Sequence, residues 1–233
     1  MKINHFYIIA VMLCVSLISC KKDNYDPPKS KLSGRFVYKG EAINVEHDRV
    51  PFDIFEYGFG KVGAIVGNLT QDGMFSHLLF DGDYKFVVRP NQGPFLWPQT
   101  SGKADSISIT VRGDQTLDIN VMPYYMIRTP QIAKGGTGVT ASFKVEKIIT
   151  DAVNGKNIEK AFLYINKTQF VSGTNNIANT EMAGSAITDP NNITLSVAVP
   201  KISPTQNYVF ARIGLKVAGV EDLIFSPLTK IQL

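Results

Sequence analysis

Cysteine is missing from almost the whole chain: Cys14 and Cys20 fall within the first twenty of 233 residues, and none follows. That excludes a disulfide framework and any thiolate metal site from the body of the protein. Histidine is nearly as scarce beyond the N-terminus. Only His47 and His77 remain, with neither an H-x-x-H nor an H-E-x-x-H spacing to start a zinc site. No stretch after Cys20 sustains a 3.6-residue apolar period beyond two turns, which argues against a helical architecture. Clusters of like charge are lacking as well. The net charge is +4 and the pI near 8.9, but the basic residues are scattered singly. Nucleic-acid binding needs them gathered on one face, so no nucleic-acid partner is expected. Catalytic signatures are also absent. There is no G-x-S-x-G elbow, and Gly58 to Gly63 has neither P-loop spacing nor a helical sequence after it. Asp81-Gly82-Asp83 lacks the rest of a calcium loop and reads as a hairpin turn. The chain is read as a non-enzyme, with no catalytic, metal or cofactor residues assigned.

What is present begins at the N-terminus. Lys2 precedes an uncharged run, Phe6 to Ile18, which Lys21-Lys22-Asp23 ends abruptly. Its thirteen residues reach about 20 Å as a helix, short of the roughly 30 Å hydrocarbon core, so a signal peptide is expected over residues 1–19. The run closes on Leu17-Ile18-Ser19-Cys20, which resembles a bacterial lipobox. The resemblance implies that the Cys20 thiol takes a diacylglycerol thioether before cleavage, anchoring the mature chain to a membrane by more than one acyl chain. Residues 20–30 are polar, contain Pro27-Pro28 and read as a tether.

The body alternates at period two, and an all-β fold of two tandem sandwiches is expected. Strands are read at Gly34 to Lys39, Val50 to Phe55, Lys61 to Asn68, Met74 to Leu79, Tyr84 to Arg89, Ser106 to Val111 and Leu117 to Tyr124. Asp72-Gly73 and Asp81-Gly82 mark hairpin turns, because glycine accepts the positive φ such turns need. The run Gly40-Glu41-Ala42-Ile43, with Asp72-Gly73-Met74-Phe75 and Phe80-Asp81-Gly82-Asp83-Tyr84, resembles the transthyretin-like or carboxypeptidase-regulatory sandwich, here over residues 31–127. Further strands are read at Gln131 to Lys134, Val139 to Ile149, Ile158 to Asn166, Asn192 to Val199, Tyr208 to Val217, Leu223 to Phe225 and Leu228 to Leu233. About seven short strands in residues 128–233 fit an immunoglobulin or fibronectin-III-type sandwich. Pro204-Thr205-Gln206-Asn207-Tyr208 resembles the fibronectin-III entry to a tyrosine corner.

Taken together with Asn91 to Trp97, Val121 to Tyr125 and Val139 to Phe143, the chain resembles an uncharacterised two-domain lipoprotein family of Bacteroidota gut bacteria. That resemblance implies a place at the outer membrane, on the cell surface or its periplasmic face, within glycan-uptake machinery. Polysaccharide or uptake proteins are the implied partners. The candidate glycan-binding residues are Phe95 and Trp97, in the Pro-bracketed loop Gly93 to Pro98, since sugar C–H faces stack on indole. The alternative is that both rings turn inward and plug the end of the sandwich. The polar stretch Ser172 to Asn192 is the second candidate surface. Tyr124 and Tyr125 are expected to pack between the domains.

Overall fold

Alternating sequence becomes alternating burial throughout the computed structural model, which describes residues 26–58 and 63–233. The signal peptide, Cys20, most of the tether and the start of the strand expected from Lys61 lie outside the described residues. Within them run fourteen strands of four or more residues, and the single helical element is a 3-10 turn at Gly184–Ala186. No helix among the described residues is long and apolar enough to cross a membrane.

The first sandwich is built from β1 (Ser30–Tyr38), β2 (Arg49–Glu56), β3 (Ala64–Leu69), β4 (Met74–Leu79), β5 (Gly82–Val88), β6 (Ile107–Val111) and β7 (Gln115–Asn120). In one sheet β1 pairs in parallel with β7, from Leu32↔Gln115 to Val37↔Asn120, and antiparallel with β4. The other sheet has the order β6-β5-β2-β3. Leu32 and Phe36 from β1, Phe52 and Ile54 from β2, and Phe86 from β5 are fully buried between the sheets. The Phe52 and Phe86 rings stack at 4.6 Å, and Phe75 meets Phe52 edge-on at 5.6 Å. Such offset and edge-to-face pairs add to the burial of the rings.

The second sandwich holds β8 (Tyr125–Gly135), β9 (Gly138–Lys147), β10 (Ile158–Asn166), β11 (Ala178–Ala183), β12 (Ile193–Ala198), β13 (Tyr208–Val217) and β14 (Thr229–Gln232). Its sheets are β8-β9-β12 and β11-β10-β13, with Ile224–Phe225 and β14 both on the far side of β13. Two sequence expectations change here. The domain boundary expected between residues 127 and 128 falls inside one continuous strand, Tyr125–Gly135. A bulge between Arg128 and Gln131 takes up the proline, and Thr129 has φ of 45°. A bulge is where a strand tolerates a residue without an N–H. The Tyr208 hydroxyl, expected to bond backbone in a tyrosine corner, makes no hydrogen bond among the described residues, and the Lys230 ammonium stands 4.0 Å from its ring centre.

The sandwiches share a buried seam. Arg212 on β13 is 1% exposed, and its guanidinium donates to the carbonyls of Val45 and Gln71 in the first domain and of Ser226 in the second. Burial pulls the Arg212 pKa down to about 10, opposed by the fields of Asp72 and Glu46, so it is charged at neutral pH. The Asp222 carboxylate accepts from the Val50 N–H and the Gln92 amide, and Phe225 N–H donates to the Asn44 carbonyl.

Candidate functional site

The Gly93 to Pro98 loop does not present its rings to solvent. Phe95 and Trp97 are 2% and 3% exposed. Phe95 meets Phe36 edge-on at 5.3 Å, Trp97 stacks on Phe36 at 6.3 Å, and the indole N–H donates to the Asp105 carbonyl at 2.8 Å. The expected sugar platform at these two residues is therefore corrected to an apolar plug closing the first sandwich. The physical reason is local. Gly93 has no Cβ, and one placed there would come within 2.5 Å of the Phe95 ring, so the glycine is what lets that ring fold under its own loop. The indole's single donor finds a backbone acceptor inside, which removes the penalty for burying it.

Ser172 to Asn192 is not one loop. Its middle forms β11, paired with β10 from Lys160↔Ala183 to Ile165↔Ala178, and the 3-10 turn follows at once. The crossover from that turn to β12 caps an open end of the second sandwich and creates a cleft of about 550 Å³. Tyr125 and Val145 form one wall with Lys147, while Asn157 and Ile158 stand at the start of β10. Gly184, Ser185, Ile187 and Pro190 close the far side.

Strand register explains this assembly. Tyr125 and Lys147 are directly opposite on the β8/β9 ladder and so share a face. Val139, Ala141, Phe143 and Val145 are the buried positions of β9, and Lys147 is the next in that inward series, at the rim. The Val145 N–H donates to the Pro190 carbonyl at 2.8 Å, stitching the crossover to the strand. Gly184 permits the closest approach, since a Cβ there would lie 1.9 Å from the Ile158 carbonyl oxygen. The Tyr125 hydroxyl donates to the Lys156 carbonyl at 2.8 Å, and burial raises its pKa. The Lys147 ammonium stands 5.9 Å from the Tyr125 ring centre.

The cleft combines an apolar wall with polar groups left free. Among the described residues none hydrogen-bonds to the side chains of Asn157, Ser185 or Lys147. Such a set can donate and accept hydrogen bonds and offer van der Waals surface. It holds neither a carboxylate nor an imidazole. The histidines sit elsewhere: His47 packs on Phe170 at 4.7 Å, and half-buried His77 meets Phe52 edge-on at 5.3 Å. Asp81 anchors its turn by accepting from the Ser30 hydroxyl and the Gly113 N–H, which hold its carboxyl below the usual range. Among the described residues no three His, Cys, Asp or Glu side chains gather closely enough to hold a metal ion.

Sequence reasoning pointed to the segment bearing Ser185 but missed Asn157 and Lys147. For Lys147 a signal existed: the inward series at positions 139, 141, 143 and 145 places a charge at its next step. Asn157 carried none, because its place depends on where β10 begins.

The sequence matches two family models that together span most of the chain. Residues 30–122 match the N-terminal domain of DUF3823, a protein of unknown function, and residues 125–230 match DUF3823_C, a domain of unknown function. A DUF3823 family protein from Parabacteroides merdae is similar at 29% identity and a TM-score of 0.76, over 89% of this chain and 100% of its own. One from Bacteroides ovatus is 31% identical with a TM-score of 0.75, over 88% and 100%. A candidate carbohydrate binding protein from Bacteroides uniformis shares the fold at 19% identity and a TM-score of 0.67, again over 88% and 100%. No curated protein matches the chain.

Proposed function

The chain belongs to the DUF3823 family, and from that starting point we propose that it is an accessory lipoprotein of a surface glycan-uptake system. In this reading Cys20 carries the lipid, the outer membrane holds the chain, and the cleft of the second sandwich binds carbohydrate. One observation carries the ligand assignment: Asn157, Ser185 and Lys147 keep their side-chain hydrogen-bonding capacity beside the apolar wall of Tyr125, Val145 and Ile158. Sugars present that same combination, hydroxyls around an apolar C–H face. The volume of about 550 Å³ falls within the roughly 300–1,000 Å³ common for ligand sites. The carbohydrate-binding description of the Bacteroides uniformis relative supports the same ligand class, although at 19% identity its likeness extends to fold alone.

Affinity electrophoresis of the full chain in mild detergent, through a panel of polysaccharides, tests this reading. Retardation by at least one glycan is expected, with Asn157→Ala weakening it about three- to tenfold for a lost hydrogen bond. Ser185→Trp should fill the cleft and abolish it. Retardation that survives both substitutions would place the ligand elsewhere, and none on any glycan would remove the assignment. Fatty-acid labelling in the producing cell checks the anchor, which Cys20→Ser should eliminate.

A second reading, docking of an uptake partner, is favoured by the free edges of the first sandwich. Edge strands β3 and β4 expose Val66 and Leu78 at 58% each, and unpaired edges of this kind accept an added strand. Capture of outer-membrane uptake proteins, lost with Leu78→Lys, would support it.

A further inference from the structure

Lys147 is the one formally charged residue lining the cleft, and none of the described residues pairs with it. It takes the next alternate position of β9 after four buried apolar residues and is itself exposed at the cleft rim. Its neighbour Glu146 faces the other way and is taken by Arg128, whose guanidinium also binds Glu41. Lys147 itself makes no ion pair among the described residues. Ion pairs do form on the surface, as in Lys160–Glu181 and Arg35–Asp118, and what sets Lys147 apart is its place on the cleft. The Tyr125 ring, pinned by its hydroxyl to the Lys156 carbonyl, flanks the ammonium at cation–π range.

Resting on the proposed carbohydrate site, we infer that the cleft selects an anionic sugar, with Lys147 binding a carboxylate or sulfate substituent while Asn157 and Ser185 take hydroxyls. A carboxylate would come from a uronic acid and a sulfate from an ester; both offer oxygen acceptors to the ammonium. Lys147 is thus assigned as the residue that separates charged from neutral glycans.

The test uses paired polymers that differ only in charge, with the full chain in mild detergent. Polygalacturonate is compared with its methyl ester, and dextran sulfate with dextran, by affinity electrophoresis at two salt concentrations. The expected result is a preference of about tenfold for one charged member, the weight of one charge-assisted hydrogen bond. Lys147→Met should erase that preference, and Lys147→Arg should keep much of it. Lys144→Met, on the outward face of the same strand, should leave it unchanged. The polygalacturonate pair reports the carboxylate and the dextran pair the sulfate. Equal binding of charged and neutral polymers, both lost with Ser185→Trp, would overturn this inference and leave the carbohydrate site standing. Equal weakening by Lys147→Met and Lys144→Met would mean diffuse attraction to a chain of net charge +4, which also overturns it. Absence of binding to every polymer would remove both readings together.

Discussion

Trp97 illustrates how much a single side chain's role depends on one acceptor. Its ring area favours burial, while its N–H forbids it unless a partner waits inside, and the Asp105 carbonyl meets that condition. Trp97→Ala should therefore cost about 3–5 kcal/mol in urea unfolding, as a truncated core aromatic does, with glycan retardation of the remaining folded protein unchanged. His77 makes a second prediction at this scale. Burial lowers its pKa in the folded state, so the unfolded chain binds the proton more readily. The stability it contributes is present above the ordinary imidazole value of about 6.5 and is lost as pH falls through the depressed one. The melting temperature should fall on acidification from pH 7 to 5, and His77→Gln should reduce the part of that fall below about pH 6.5. Neither burial was certain from sequence. Trp97 sits among prolines in a segment without alternation, and the residues that enclose it come from β1 and β5.

At the scale of elements, the crossover from β11 to β12 matters most. It is held by Val145 N–H to Pro190 and by the close approach of Gly184 to Ile158. Gly184→Ala would drive a methyl into a backbone carbonyl that has no rotamer to escape with. A loss of about 1–3 kcal/mol is expected from overpacking, together with weaker glycan retardation because the cleft wall must shift. Thermal melts and affinity electrophoresis of the same variant would show both effects; an unchanged melting temperature would mean the turn relaxes freely. The strands of this domain were largely legible: Tyr208 to Val217 and Ile158 to Asn166 have the expected bounds. β11 was not. Its sequence, Ala178-Asn179-Thr180-Glu181-Met182-Ala183, is polar at alternate positions and weakly apolar at the others, as suits an edge strand with one half-buried face. Read alone, it looks like loop.

For the molecule as a whole, the seam decides how the two sandwiches behave together. Arg212 satisfies two carbonyls of one domain and one of its own from a nearly dry position. Arg212→Ala would strand the Val45 and Ser226 carbonyls at roughly 1–3 kcal/mol each, while Gln71 keeps the Val45 N–H, so a loss of at least about 2 kcal/mol is expected. Calorimetry should record one cooperative transition for the native chain and two for the variant; a single transition in both would mean the apolar contacts suffice to couple the domains. The all-β class, the tandem arrangement and most strand positions were legible along the chain. These follow from period-two alternation and Asp-Gly turns, which are properties of neighbours along the chain. The tertiary structure alone decided that Phe95 and Trp97 turn inward, that β8 runs through the expected domain boundary, and that Arg212 spans the seam. It also brought Tyr125, Lys147, Asn157 and Ser185 to one cleft. Each of these depends on which distant backbone atoms come within hydrogen-bond or van der Waals range, and that distance is set by packing rather than by local pattern.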